Sequence, residues 1–198
     1  STSSLIHNLT VSCDNFLYEG VDVFLQKPVW SMLSNMDGCK IFGLGHNEED
    51  SNVILYEQNS LSLLPSKRDQ GEKYDLIFVD GDHNYETVYS ELSIIKDMCH
   101  PTTIVVCDDF GGRYANEDLY YSETEGYENN EIATKRSSNK SLQGKKGVSQ
   151  AVIDFIEEQK GAWEASTTAS EPVILHQSCL NFGFFVPGDA KFAHQCTR

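Results

Sequence analysis

The sequence predicts an α/β domain in which parallel strands alternate with helices, and three observations predict it. Residues 74–79 and 103–107 are short apolar runs rich in β-formers, the pattern of strands buried in a parallel sheet. The stretch between them has helical spacing, and a crossover through a helix makes the flanking strands parallel with a right-handed connection. Each run stops at a cluster of acids, Asp80-Gly81-Asp82-His83 after the first and Asp108-Asp109 after the second. The length of 198 residues suits one domain with a real core.

Taken in order, residues 15–21 form the expected first strand. A helix is expected over 28–36, with Pro28 suited to its first turn and Trp30, Leu33 and Met36 on its apolar side. Two short strands follow at 39–44 and 52–56, separated by the acidic loop Asn47-Glu48-Glu49-Asp50. The run 74–79 reads as a strand buried on both faces. Asn84 can then cap a helix whose first turn holds Glu86, favoured by the helix dipole. Val88, Leu92 and Ile95 share one face of that helix, which should end near Cys99-His100-Pro101.

Residues 111–146 are a long polar stretch containing Tyr114, Tyr120, Tyr121 and Tyr127, then Lys135, Arg136, Lys140, Lys145 and Lys146. Stretches of this length are functional lids or disordered segments, and the expectation is a lid that orders on substrate binding. Residues 147–160 predict an amphipathic helix with Val148, Val152, Phe155 and Ile156 on one side. Residues 172–175 and 182–186 predict a final antiparallel pair at a sheet edge. No internal repeat is visible.

Lys and Arg total 15 against 30 Asp and Glu, a net charge of −15. That balance disfavours nucleic acid and anionic membranes as partners, because both demand a basic surface. It favours a metal ion or a small cation, although an acidic surface also serves solubility alone. The six cysteines, Cys13, Cys39, Cys99, Cys107, Cys179 and Cys196, form no C-x-x-C pair, which disfavours a structural zinc site. They read as reduced thiols in an intracellular, cytoplasmic setting. No apolar stretch approaches the roughly 20 residues that cross a bilayer. Residues 1–4 show no secretory signal and are compatible with a cut from a longer chain.

The predicted topology brings four carboxylates to one sheet edge: Asp80, Asp82, Asp108 and Asp109. Ligands of open α/β sheets bind beyond the carboxyl ends of the strands. Carboxylates this close repel and raise one another's pKa unless a cation, a proton or donor groups compensate. Oxygen ligands suit a hard cation such as magnesium, manganese or calcium, which can hold two substrate oxygens and acidify a hydroxyl. Asp82 or His83 could take the released proton. The alternative is that Asp and Gly after strands simply make turns.

The segment Tyr74-Asp75-Leu76-Ile77-Phe78-Val79-Asp80-Gly81-Asp82-His83-Asn84-Tyr85-Glu86, followed by a helix and then Ile104-Val105-Val106-Cys107-Asp108-Asp109-Phe110, resembles the fourth-to-fifth-strand region of class I S-adenosylmethionine-dependent methyltransferases. It is most similar to the metal-dependent, macrocin-type sugar O-methyltransferases with a D-G-D signature and a later D-D. The resemblance is good over 39–110 and looser elsewhere. It implies a Rossmann-like three-layer α/β/α sandwich, with a mostly parallel seven-stranded sheet whose last strand is antiparallel. All of 1–198 would be one such domain carrying a polar insertion at about 111–146. It implies a divalent metal, Mg2+ or Mn2+, on Asp80, Asp108 and Asp109, with Asp82 as general base and His83 as the rival base. For S-adenosylmethionine it implies Glu19 and Gly20 at the first-strand turn, Gly45 and His46 after the second strand, Asn59 and Ser60 after the third, and Asp80. The segment Tyr18-Glu19-Gly20-Val21-Asp22-Val23 keeps little of the family's E-x-G-x-x-x-G turn. The implied activity is methyl transfer to a hydroxyl of a small acceptor, a sugar first, by a chain that could be a homo-oligomer or part of a longer protein.

Three other readings stay open. Asp80-Gly81-Asp82 also suits a metal-dependent glycosyltransferase, which leaves Asp108-Asp109 unexplained. A phosphate-handling domain gathers acids at strand tips but needs a later Lys, Ser or Thr, and His176-Gln177-Ser178 serves poorly. A non-catalytic binding domain on the methyltransferase scaffold is compatible with the altered glycine turn.

Overall fold

The structure, a computed structural model, describes residues 17–23, 39–42, 53–138, 144–159, 163–165 and 183–187. The expected helix at 28–36, the loop at 47–50 and the strand at 172–175 lie outside the described residues, as do Gly45, His46 and Lys140. The chain falls into two compact units, Ser1–Leu63 and Leu64–Arg198.

The first unit holds three parallel strands, β1 (Tyr18–Asp22), β2 (Cys39–Phe42) and β3 (Val53–Glu57), in the order β1-β3-β2. The Tyr56 hydroxyl donates to Glu19 Oε1 at 2.9 Å, tying β3 to β1. A Cβ on Gly20 would meet Leu55 Cδ2 at 2.8 Å, so a side chain there would require Leu55 to shift. Helix α1 (Ser60–Asp69) starts where Asn59 Oδ1 accepts the Leu61 N–H at 2.9 Å. Sequence reading placed only Asn59 and Ser60 here, because Pro65 inside the segment argues against a helix and no apolar stripe marks it.

The second unit holds β4 (Tyr74–Val79), α2 (Tyr85–Ile95), β5 (Cys99–Cys107), α3 (Gly147–Glu158), β6 (Trp163–Ala165) and β7 (Gly183–Pro187). Its strands run in the order β4-β5-β7-β6. β4 and β5 are parallel, and β7 is antiparallel to both β5 and β6. The antiparallel last strand agrees with expectation, but its second partner is 163–165, a segment the sequence reading passed over. The described strands thus hydrogen-bond as a three-stranded and a four-stranded sheet.

α2 begins as the sequence predicts: Asn84 Oδ1 accepts the Thr87 N–H at 2.8 Å and Glu86 occupies the first turn. Val88, Leu92 and Ile95 of α2 meet Val148, Val152 and Phe155 of α3 over Val79, Val105 and Cys107 of the sheet, forming one core cluster. Full burial of such side chains stabilises by about 1.5–3 kcal/mol each. The expectation that β4 is buried on both faces needs correction. Val79 is buried, whereas Leu76 and Phe78 are 46% and 44% exposed. Alternate residues of a strand face opposite ways, and among the described residues only the Ile77/Val79 face is covered by helix.

Candidate metal and catalytic centre

The centre starts from strand register. Val79 pairs with Cys107, and the Asp108 N–H donates to Val79 O at 2.9 Å, the last rung between the two strands. The next residues, Asp80 and Asp108, therefore leave the sheet side by side. One ligand atom from each of Asp80, His83 and Asp108 lies within 4.8 Å of the others. Asp109 stands slightly apart: its Oδ2 is 3.5 Å from His83 Nδ1, while His83 Nε2 is 3.9 Å from Asp80 Oδ1. The expected ligands Asp80 and Asp108 thus meet, and among the described residues the third group of the cluster is His83 in place of Asp109.

The electrostatics favour a positive charge or a proton between the carboxylates. The Asp80 carboxyl is pushed up to about 7, first by partial burial, then by its hydrogen bond with Asp108 and the charges of Asp108 and Asp109. A proton or a cation between the two carboxylates relieves that repulsion. Two carboxylates and an imidazole suit a divalent ion that accepts oxygen and nitrogen together, such as manganese. Behind the cluster, burial pushes the Cys107 thiol far up, so it packs as a neutral apolar group.

The two turns are built differently. After β5, Asp109 has a left-handed backbone (φ 53), unusual for a residue other than glycine. A Cβ on Gly112 would come within 1.9 Å of Asp109 Oδ1, so the Gly111-Gly112 sequence lets the carboxylate fold back over its own turn. The Gly112 N–H closes that turn on Asp109 O at 3.2 Å. After β4, residues 82–85 bond to the polar insertion. Asp82 Oδ1 accepts the Tyr121 N–H at 2.9 Å, and His83 O accepts the Leu119 N–H at 2.9 Å. His83 is 8% exposed, and its ring stacks on Tyr114 at 5.5 Å.

Over its described part, the segment expected to be a lid packs against these turns, with Ala115, Tyr120 and Ala133 buried. Sequence reading missed Asp118 within it, and also Glu91, a buried α2 residue whose Oε1 lies 3.8 Å from where a Gly81 Cβ would sit. Neither carried a sequence signal beyond being acidic. Of the residues expected to bind cofactor, Asp80 belongs to the cluster. Glu19 and Gly20 lie inside β1, while Asn59 and Ser60 follow β3, with Asn59 Oδ1 accepting the Leu61 N–H at the start of α1.

The stretch that carries both acidic turns is similar to methyltransferase domains. Residues 30–110 match the family model for a methyltransferase domain. No curated protein matches the chain in sequence. Among solved structures it is similar to the MycE methyltransferase from the mycinamycin biosynthetic pathway in complex with Mg, SAH and mycinamycin VI. There the identity is 10% and the TM-score 0.46, over 100% of this chain and 51% of that one. It is also similar to MycE with Mg and SAH in crystal form 1, at 12% identity and TM-score 0.44, over 100% of this chain and 52% of that one. The chain spans about half the length of these solved structures. Among the described residues no helix is long and apolar enough to cross a membrane.

Proposed function

We propose that the protein transfers a methyl group from S-adenosylmethionine to a hydroxyl of a small acceptor, a sugar first, at a centre that uses a divalent cation. The observation that carries this reading is the convergence of Asp80, His83 and Asp108 at the carboxyl ends of two parallel strands, within the stretch that matches a methyltransferase domain. Asp80 and Asp108 would hold Mg2+ or Mn2+, with His83 or Asp109 completing the set. When bound, the ion supplies Lewis acidity to two neighbouring acceptor oxygens.

Asp82 receives the acceptor proton in this reading. Its carboxylate is oriented by the Tyr121 N–H and belongs to the same turn as Asp80 and His83. His83 is the base if Asp109 takes the third ligand position. As the acceptor oxygen attacks the methyl carbon, the carbon–sulfur bond breaks and the proton passes to that base. The chain's main contribution is in-line placement of the oxygen and the methyl group. Glu19, Gly20, Gly45, His46, Asn59, Ser60 and Asp80 are the residues assigned to the methyl donor. Tyrosines of the insertion offer flat faces for a sugar ring.

Calorimetric titration with S-adenosylhomocysteine, with and without Mn2+ or Mg2+, tests the reading. Binding of S-adenosylhomocysteine, together with a separate heat for the metal that Asp80→Ala removes, is the expected result. Tight binding of a nucleotide sugar with none of S-adenosylhomocysteine would replace it by the glycosyltransferase reading.

A further inference from the structure

The insertion holds more of the centre than a cover would need. Asp118 is central to it. Its side chain is 8% exposed although it is charged and sits in a polar segment. Its Oδ1 accepts two backbone N–H groups, from Tyr85 at 3.0 Å and from Gly147 at 2.8 Å, which are the first residues of α2 and α3. Its Oδ2 faces Arg136 Nη1 at 3.4 Å. One carboxylate thus satisfies donors at the starts of both helices that back the site, where the helix dipoles favour negative charge.

The three residues after Asp118 carry that anchorage to the acidic turn. Leu119 donates its N–H to His83 O at 2.9 Å and accepts from Asn84 Nδ2 at 3.3 Å. Tyr121 donates its N–H to Asp82 Oδ1 at 2.9 Å. Residues 82, 83, 84 and 85 are each bonded to the stretch 118–121. Arg136 closes the far side. It makes a two-pronged pair with Glu123 at 2.8 and 3.0 Å and lies over the buried Tyr120 ring at 4.2 Å.

We propose that Asp118 is a positioning residue of the centre: by joining both helix starts to the 118–121 stretch, it clamps the turn that presents Asp82 and His83. It acts through those residues and touches neither metal nor acceptor. The first part of the insertion is then fixed scaffold, present before any substrate arrives. Supporting partners of metal ligands hold ligand orientation, and their loss typically weakens metal binding about 10–100-fold. The inference rests on the metal-centred reading above.

The test is Mn2+ affinity, read by electron paramagnetic resonance on the full chain without methyl donor, well below the melting temperature. Asp118→Ala is expected to weaken Mn2+ binding at least about 10-fold with its circular dichroism unchanged. Asp118→Asn, which keeps an oxygen for both N–H groups, is expected to restore affinity to within about 3-fold of wild type. Unchanged affinity in a folded Asp118→Ala protein overturns the inference and leaves the metal reading standing. A wild-type protein that binds no Mn2+ overturns both. Should Asp118→Ala not fold, hydrogen exchange of the wild-type protein decides. The Tyr85, Leu119, Tyr121 and Gly147 amides should exchange together and as slowly as the α2 core, and fast exchange at Leu119 and Tyr121 overturns the inference.

Discussion

The two strand tips that form the centre sit side by side in register, yet they are held in opposite ways. The tip after β5 holds itself: Asp109 adopts a left-handed backbone and its carboxylate fills the space above Gly112. The tip after β4 is held from outside, with residues 82–85 bonded to a segment more than 30 positions further along the chain. Local chemistry shapes the first, with an outside bond from Ser149 Oγ to Phe110 O, so its geometry should respond less to changes elsewhere. The second depends on the insertion being folded against it. Adjacent acidic turns at one sheet edge can thus owe their positions to different length scales of the fold.

The sharpest way to break this comparison is to remove a ligand and leave both scaffolds intact. Asp108→Ala should lower Mn2+ affinity by at least about 100-fold, because a ligand matters more than its supporting partners. Its backbone N–H still reaches Val79 O, so the melting temperature should stay within about 2–4 °C of wild type. Calorimetry and thermal melts check both parts.

The next largest effect is expected at Gly147, where the clamp meets α3. Its φ is +76 and an added Cβ would lie 2.3 Å from Ala115 O. Gly147→Ala should destabilise by about 3 kcal/mol, a melting-temperature drop of about 6–12 °C in a chain of this size. Gly112→Ala should do the reverse at the other tip. It collides with a flexible carboxylate, so stability should change little, while displacing Asp109 should lower kcat about 10-fold or more. If Gly112→Ala proved as destabilising as Gly147→Ala, the self-held description of the tip after β5 would be wrong.

Asn84→Ala should cost about 1–2 kcal/mol, because the residue is fully buried, caps α2 and bonds Leu119 O. Urea unfolding midpoints measure it. The smallest effect concerns pH. In the metal-free fold Asp80 titrates at about 7 against an ordinary 3.8. The folded protein therefore keeps a proton that the unfolded chain gives up as pH rises above about 4. The resulting penalty on stability grows up to about pH 7 and is complete above it. Asp80→Asn removes that penalty, so the metal-free variant should melt higher than wild type at pH 8 and equally at pH 4. The carboxylate is 46% exposed, so solvent limits the gain to about 1 kcal/mol. Mn2+ should reverse the order at pH 8.

Much of the second unit was legible in the sequence, because β4, α2, β5 and α3 advertise themselves through local apolar periodicity. The 74–79 run is β4 residue for residue, and Asn84 caps α2 as its position next to the acidic turn implied. The burial of β4 was misjudged, since an apolar run states what could be buried and not which faces find a partner. α1 and β6 went unread because Pro65 masks one and three residues are too few to show a period in the other. In the centre, Asp80 and Asp108 were legible as strand-end acids. Asp118 was one acid among many in a polar stretch, distinguished only by partners 29 and 33 positions away.

The sequence alone determined that two parallel strands end in aspartates at one sheet edge, because strand period, helix capping and turn chemistry are short-range properties of neighbouring residues. Only the tertiary structure decided that His83 joins Asp80 and Asp108 within 4.8 Å and that the insertion bonds to the turn after β4. Those contacts form when distant segments pack together, and no local pattern of residue types encodes which distant group will arrive.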